Sequence, residues 1–166
     1  MSTVSDTTIS TGSRNDSDRT SHHAALSSGI VTAAVVGATA LLVSGWVHFY
    51  LYFRGGYRGI AIDSVLGINI SRSFAINAIA AVVIAEAVIL GLRYRTLLLP
   101  AAAVGVGFAV ATLVAYFLSR TRGILGFKET STTTEAVIGM VSEAVVILTL
   151  VPVAITELRA RRRPAR

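Results

Sequence analysis

Three ionisable side chains, His48, Glu86 and Glu143, lie inside stretches of the sequence that are otherwise apolar. An ionised acid at the centre of a membrane helix costs about 3 kcal/mol, so we expect both carboxyl groups to face other helices, to be paired or to be protonated. If all three side chains faced the interior of the helix bundle, they would form a stack across the membrane. At a rise of roughly 1.5 Å per residue, His48, Glu143 and Glu86 would lie roughly 6, 13 and 20 Å from the outer boundary. Such an intramembrane polar site could relay protons or bind a cation or a quinone-like head group, and the alternative is an interhelical polar clamp.

Two of these residues have neighbours that bear on their roles. His48 ends the first apolar stretch among aromatic residues, which prefer the headgroup level of a bilayer, so a place in this interfacial belt is the alternative to a ligand role. Asn77 lies 180° around the predicted helix from Glu86, so the two cannot serve one site within a subunit. The belt consists of Trp46, His48, Tyr50 and Tyr52.

Polar residues outside the apolar stretches form a second group of candidates. Tyr57, Arg58 and Asp63 are candidate outer-face contacts for an anionic head group or a partner, with a solvated loop as the alternative. Glu135 follows three threonines at the start of the last apolar stretch, where an acid favours the helix dipole, so we interpret it as a capping residue.

Several kinds of chemistry are excluded by what the sequence lacks. The chain has no cysteine, which excludes disulfides, thiolate nucleophiles and iron–sulfur clusters. One intramembrane histidine cannot supply two axial ligands to haem. The sequence also has no phosphate-binding loop, nucleophile elbow or zinc-binding His-Glu-x-x-His motif. We therefore expect no catalytic residues, no metal and no bound cofactor.

Four long apolar stretches determine the fold class. The sequence is 53% hydrophobic and only 14% charged, whereas charged residues make up about a quarter of a soluble domain. Each stretch reaches the roughly 20 residues that cross a hydrocarbon core as an α-helix. The sequence predicts an all-α membrane protein, a four-helix transmembrane bundle within residues 29–156, with spans at about 29–53, 73–92, 97–118 and 134–155.

The segments around these spans are polar. Residues 1–28 contain thirteen Ser or Thr residues and predict a disordered tail. Residues 54–72 mix apolar and polar side chains and predict an interfacial or re-entrant segment between the first two helices. Residues 157–166 form a basic tail that can meet anionic lipid headgroups.

The distribution of cations predicts the orientation of the chain. With four spans both tails share one side of the bilayer, and that side collects nine of the fifteen Lys and Arg residues. The tendency of cations to remain inside favours both termini in the cytoplasm. Arg outnumbers Lys fourteen to one, which is typical of a GC-rich bacterial genome and points to a bacterial plasma membrane. The net charge of +6 is that of a basic membrane protein rather than of a nucleic-acid-binding one.

Small residues at four-residue spacing predict close helix packing, because lipid removes the hydrophobic drive between helices. We expect these stripes to pack within one chain, although a homo-oligomer or a larger membrane complex is an open alternative. The stripes are Gly29, Ala33 and Gly37 in the first span, and Ala101, Gly105 and Ala109 beside Ala103, Gly107 and Ala111 in the third.

Two resemblances accompany these patterns. Through the stretch from His48 to Asn69, and through Gly126, Phe127, Lys128, Glu129 and Glu143, the chain resembles an uncharacterised family of small four-helix membrane proteins common in actinobacteria. It departs from them by lacking a Pro after Ile60. A His-Phe pair ending the first helix, together with Glu86, is similar to the DoxX group, some of whose members are linked to quinone chemistry.

These observations support two functional hypotheses. The leading one is a non-enzymatic structural or accessory component of a membrane complex, in contact with lipid. The alternative is a protein that handles protons, a cation or a quinone through its intramembrane carboxylates.

Overall fold

The computed structural model describes residues 26–60 and 67–162. Within these ranges the chain forms four α-helices: α1 (Ser28–Phe53), α2 (Ile70–Arg93), α3 (Arg95–Thr121) and α4 (Thr134–Arg162). All four are long and apolar enough to cross a membrane. The predicted all-α four-helix bundle is confirmed, and the described residues form no strand. An isolated bridge joins Ile124 and Phe127.

Short polar side chains begin three of the helices. The side chain of Ser27 accepts a hydrogen bond from the Ile30 amide, and that of Asn69 accepts one from Arg72. The Thr133 hydroxyl does the same for Ala136. Each of these bonds satisfies an amide that would otherwise lack an intrahelical partner.

The segment between α1 and α2 is irregular where it is described. Residues 54–60 turn without forming a helix, and α2 begins at Ile70, within the predicted 54–72 segment. The middle of this segment, residues 61–66, lies outside the described residues and includes Asp63. Of the predicted N-terminal tail, residues 1–25 also lie outside them.

The helices form a four-membered ring. α1 packs against α2 and α4, and α3 packs against the same two helices. We call the end of the bundle that holds residues 54–60, 67–69 and 122–133 the loop end. The opposite end, which holds the start of α1, the tight α2–α3 turn and the end of α4, is the basic end.

Leu150 occupies the centre of the bundle. It is fully buried, and a Cβ atom added at Gly37 or Gly105 would come within 2.6 or 2.7 Å of its side chain. Both glycines therefore make room for this leucine, as expected for helices that associate through close packing. One predicted stripe, Ala101, Gly105 and Ala109, is buried in the bundle, whereas Ala103, Gly107 and Ala111 are exposed on its outer surface.

The outer surface of the bundle is apolar. Large hydrophobic side chains are exposed on all four helices, for example Trp46, Ile79, Phe117 and Leu148. Exposing so large an apolar surface to water would be unfavourable, whereas contact with lipid acyl chains avoids this cost. The chain is a multi-pass membrane protein.

The last helix continues past the predicted end of the span. Residues 157–162, predicted to belong to a basic tail, form the last turns of α4, and residues 163–166 lie outside the described residues. Glu157 is 1% exposed, and the Arg95 Nε lies 3.0 Å from its Oε2 atom. Arg161 donates to the carbonyl oxygen of Thr96 at 2.8 Å, so this part of α4 holds the α2–α3 turn.

Candidate functional site

A cavity of about 160 Å³ lies inside the bundle at the loop end. All four helices line it, together with Tyr57 and the loop of residues 122–133. It extends along α4 from Glu135 near the loop to Glu143, a depth of about 12 Å at 1.5 Å per residue. The space is large enough for several water molecules or one small organic group.

Glu143 provides the carboxyl group in the depth of the cavity. This residue is 4% exposed, and its Oε1 atom accepts a hydrogen bond of 3.2 Å from the hydroxyl of Ser44, which is fully buried. Thr112 of α3 and Asn77 of α2 also line the cavity. The carboxyl group is thus surrounded by neutral polar side chains from the other three helices.

His48 lies one helical turn after Ser44 on α1 and lines the same cavity. Its Nδ1 atom lies 2.8 Å from the carbonyl oxygen of Ser44. Because a carbonyl oxygen only accepts, this contact requires the proton on Nδ1. The other ring nitrogen, Nε2, is left to accept or donate according to the charge of the ring.

Aromatic rings form one wall of the cavity. Tyr57 is central, with its ring centroid 4.4 Å from that of Phe74 and 5.5 Å from that of Phe127. Phe74 also lies 5.6 Å from the His48 ring. These distances fall in the range of favourable ring contacts, so the wall is a packed group rather than separate rings.

At the loop end, the hydroxyl of Tyr57 donates a hydrogen bond of 2.6 Å to Glu129 and so joins the two loops. Burial alone would raise the pKa of Glu129, but hydrogen bonds from Tyr57 and from Ser131 outweigh it and lower the pKa of this carboxyl group. Burial, followed by the adjacent carboxylate, raises the pKa of Tyr57. Tyr57 therefore stays protonated at neutral pH and donates to an ionised Glu129.

A tight turn positions the loop above the cavity. The Ile124 and Phe127 backbones exchange two hydrogen bonds, of 2.8 and 2.9 Å, around Leu125 and Gly126. Leu125 has a φ of 50°, a conformation that is uncommon for a side chain of this kind and is held here by the surrounding contacts. Leu125 lines the cavity, so the unusual backbone places its side chain there.

The charged residues that line the cavity are acidic. They are Glu129, Glu135 and Glu143, and among the residues that the structure describes the lining includes no Lys or Arg. Glu135 lies in the first turn of α4, as the capping interpretation expected, and also faces this space. The site is therefore a partly aromatic cavity whose acidic and basic side chains, among the described residues, are three carboxyl groups and His48.

The structure brings two of the three predicted intramembrane residues together. Glu143 and His48 line one cavity and are linked through Ser44, whereas Glu86 is exposed on the outer surface of α2. The predicted stack of all three is therefore not formed. Asn77 lies inside the cavity, on the side of α2 that the 180° separation from Glu86 requires.

The predicted outer-face contacts separate in the same way. Tyr57 lines the cavity, while Arg58 is exposed with its guanidinium 5.7 Å from the centre of the Phe53 ring. Asp63 lies outside the described residues. These three residues do not form one contact surface in the part of the chain that is described.

Sequence reasoning missed most other residues of the site, among them Ser44, Phe74 and Thr112. Their types alone indicate no role, because serine, threonine and phenylalanine are ordinary components of membrane helices. Glu129 was missed because it lies in a polar loop. Ser44 and His48 are four residues apart, the spacing of one helix face, and this relation could have indicated that Ser44 accompanies His48.

Within the described ranges, no group of three or more His, Cys, Asp or Glu side chains is placed to hold a metal ion. Comparisons of the chain with protein-family models, with curated proteins and with solved structures found no match. The class of protein is defined by fold and site: a multi-pass four-helix membrane protein with an acidic cavity inside the bundle.

Proposed function

We propose that this chain is a ligand-binding protein of a bacterial plasma membrane, with both termini in the cytoplasm and the loop end outside. Its ligand occupies the cavity and contacts Glu143 and His48. The ligand would be a proton, a cation or a quinone, as the intramembrane carboxylates indicate, and it would bind in this one cavity.

The observation that supports this proposal is the cavity beside the Glu143 carboxyl group. A polar clamp between helices is most stable when side chains fill the space around it, because close packing is the main attraction between helices in lipid. Here a buried carboxyl group borders a space of about 160 Å³ instead. A ligand in that space would restore both the packing and the polar contacts.

The experiment uses a cavity-filling variant. A Cβ atom added at Gly139 meets only Val47, at 3.6 Å, so a larger side chain there would extend into the cavity. In mild detergent, a panel containing a quaternary ammonium compound and a short-chain quinone should raise the melting temperature of the wild type. Gly139→Leu should show no such rise, and an equal rise in both proteins would contradict ligand binding in the cavity.

The orientation has its own test. The chain has no cysteine, so single replacements can be labelled one at a time. In intact cells, a membrane-impermeant maleimide should label Arg58→Cys at the loop end and spare Arg159→Cys at the basic end. The reverse pattern would place the termini outside.

Glu86 favours a second candidate function, as an accessory subunit. An exposed carboxyl group within a span is costly in lipid, and a neighbouring protein that covers it removes this cost. Native mass spectrometry of protein extracted in mild detergent should then show a complex with a stable partner or a homo-oligomer. Glu86→Leu should dissociate this complex while the chain itself stays folded. Recovery of a monomer alone would contradict this second function.

A further inference from the structure

We infer that the ligand of the loop-end cavity is a small organic cation, with an ammonium group at the Glu143 carboxylate and an apolar body against the aromatic wall. This inference rests on the proposed function, because it assumes that the cavity binds a ligand and specifies its chemical class.

Charge is the first argument. Three carboxyl groups line the cavity, and the described part of the lining has no Lys or Arg to neutralise them. Ionising a carboxyl group in a medium of low dielectric constant is costly unless a cation lies beside it, and the bond that Glu143 accepts from Ser44 is a neutral one. A cationic ligand would supply the missing charge, while an anionic ligand would be repelled.

The aromatic wall is the second argument. Tyr57, Phe74 and Phe127 form a continuous group on the side of the cavity, and Tyr116 lines it as well. The faces of such rings attract cations, and recognition of ammonium groups by aromatic cages is a common use of this attraction. Carboxylates together with aromatic faces therefore match an ammonium ion on two independent grounds.

Competing ligands fit less well. A hard metal cation takes six or more oxygen ligands, and the described residues contain no grouping of acidic or histidine side chains that could supply them. A quinone is uncharged and would leave the carboxyl groups of the lining without a counter-charge. The wall of rings would also leave a small hydrated ion without partners on one side.

The test compares a cation with an uncharged molecule of the same shape. Binding of radiolabelled benzyltrimethylammonium to the full chain in mild detergent should be saturable. Its neutral isostere neopentylbenzene, in which carbon replaces the charged nitrogen, should fail to displace it. Glu143→Gln should weaken binding at least tenfold, because the ionic attraction to the quaternary nitrogen is lost while the side-chain shape is kept.

Glu86→Gln is the matched control, since it makes the same change on another membrane helix, outside the cavity, and should leave binding unchanged. Phe74→Leu tests the wall and should weaken binding roughly tenfold through loss of the cation–π contact. Phe74→Leu and the isostere keep the inference testable if Glu143→Gln fails to fold.

Two outcomes would overturn the inference in different ways. Displacement by neopentylbenzene as effectively as by unlabelled cation, or equal binding by wild type, Glu143→Gln and Phe74→Leu, would exclude recognition of charge. If the short-chain quinone alone distinguished wild type from Gly139→Leu, the cavity would bind a ligand and the cation inference alone would be wrong. If no probe distinguished these two proteins, the proposed function would fail as well.

Discussion

The hydroxyl of Ser44 donates a hydrogen bond of 3.2 Å to Glu143, and so joins α1 to α4 beside the loop-end cavity. The carbonyl oxygen of the same serine contacts His48 Nδ1 at 2.8 Å. One residue therefore contacts both Glu143 and His48. The relation also depends on the rotation of both helices, so it connects the shape of the site to the packing of the bundle.

Replacing Ser44 by Ala should destabilise the protein modestly. Polar contacts between membrane helices contribute about 0.6 kcal/mol on average, and the melting temperature of a chain of this size falls by roughly 2–4 °C per kcal/mol. The expected loss is therefore about 1–3 °C, measured by thermal unfolding in detergent. A double-mutant cycle with Glu143→Leu should show that the two changes are not additive.

Thr39→Ala is the control for this cycle. The Thr39 hydroxyl bonds to the Val35 carbonyl of its own helix and is exposed, so its removal breaks no contact between helices. Thr39→Ala should leave the melting temperature within about 1 °C of the wild type. Additive effects of Ser44→Ala and Glu143→Leu would mean that the hydrogen bond contributes nothing to the packing of α1 on α4.

The Tyr57–Glu129 bond should make the loop end sensitive to acid. The pKa of Glu129 is lower in the folded chain than in the unfolded one, so its stabilising effect is present above the unfolded pKa of about 4.5 and is lost as the pH falls through the folded pKa. Tyr57→Phe removes the main donor. The difference in melting temperature between wild type and Tyr57→Phe should therefore be largest near pH 7 and should shrink below about pH 4.

Arg58→Ala serves as the comparison for the acid titration, because Arg58 is the exposed neighbour of Tyr57 and its guanidinium lies over the Phe53 ring. Its melting temperature should follow that of the wild type at every pH. A constant difference between wild type and Tyr57→Phe from pH 7 to pH 3 would show that Glu129 is not the titrating partner.

The four spans could be predicted from the sequence because lipid offers no hydrogen-bond partners to the backbone. An apolar stretch of about twenty residues has to close its hydrogen bonds internally, so composition alone indicates a helix. The end of α4 was harder to place, because Glu157 and its arginine neighbours resemble a solvated tail. The buried positions Val146, Leu150 and Val153 continue at helical spacing to Glu157, and this periodicity could have extended the helix.

The membership of the site could be predicted only in part. Spacing showed that Asn77 and Glu86 lie on opposite sides of α2, but it could not show which side faces the other helices. The buried residues Ala81, Ile84 and Val88 mark the inner face, and Asn77 lies close to it whereas Glu86 lies opposite. Tyr57 and Glu129 are 72 residues apart, and no local pattern predicts that two loops meet.

The ion pair at the basic end should contribute more stability than a surface salt bridge. The Glu157 side chain is 2% exposed and that of Arg95 is 43% exposed, so Arg95→Met would leave a carboxylate buried without this partner. Breaking a fully buried pair costs about 3–5 kcal/mol, and the exposure of Arg95 reduces this to about 1–3 kcal/mol. Arg159→Met, at an exposed position of the same helix, should change the melting temperature little. Equal effects of the two replacements would refute a special role for the pair.

The closest approach between α2 and α3 should make Gly91 intolerant of any side chain. A Cβ atom there would lie 2.7 Å from the Leu98 Cα atom, which is backbone and cannot move aside as a flexible side chain can. Gly91→Ala should therefore destabilise the bundle by about 1–3 kcal/mol, seen as a lower melting temperature in detergent. Gly107→Ala is the matched control, because no atom lies within 4 Å of its added Cβ and alanine favours a helix by about 1 kcal/mol. If Gly91→Ala were as stable as Gly107→Ala, the α2–α3 turn would have to be more open than this packing requires.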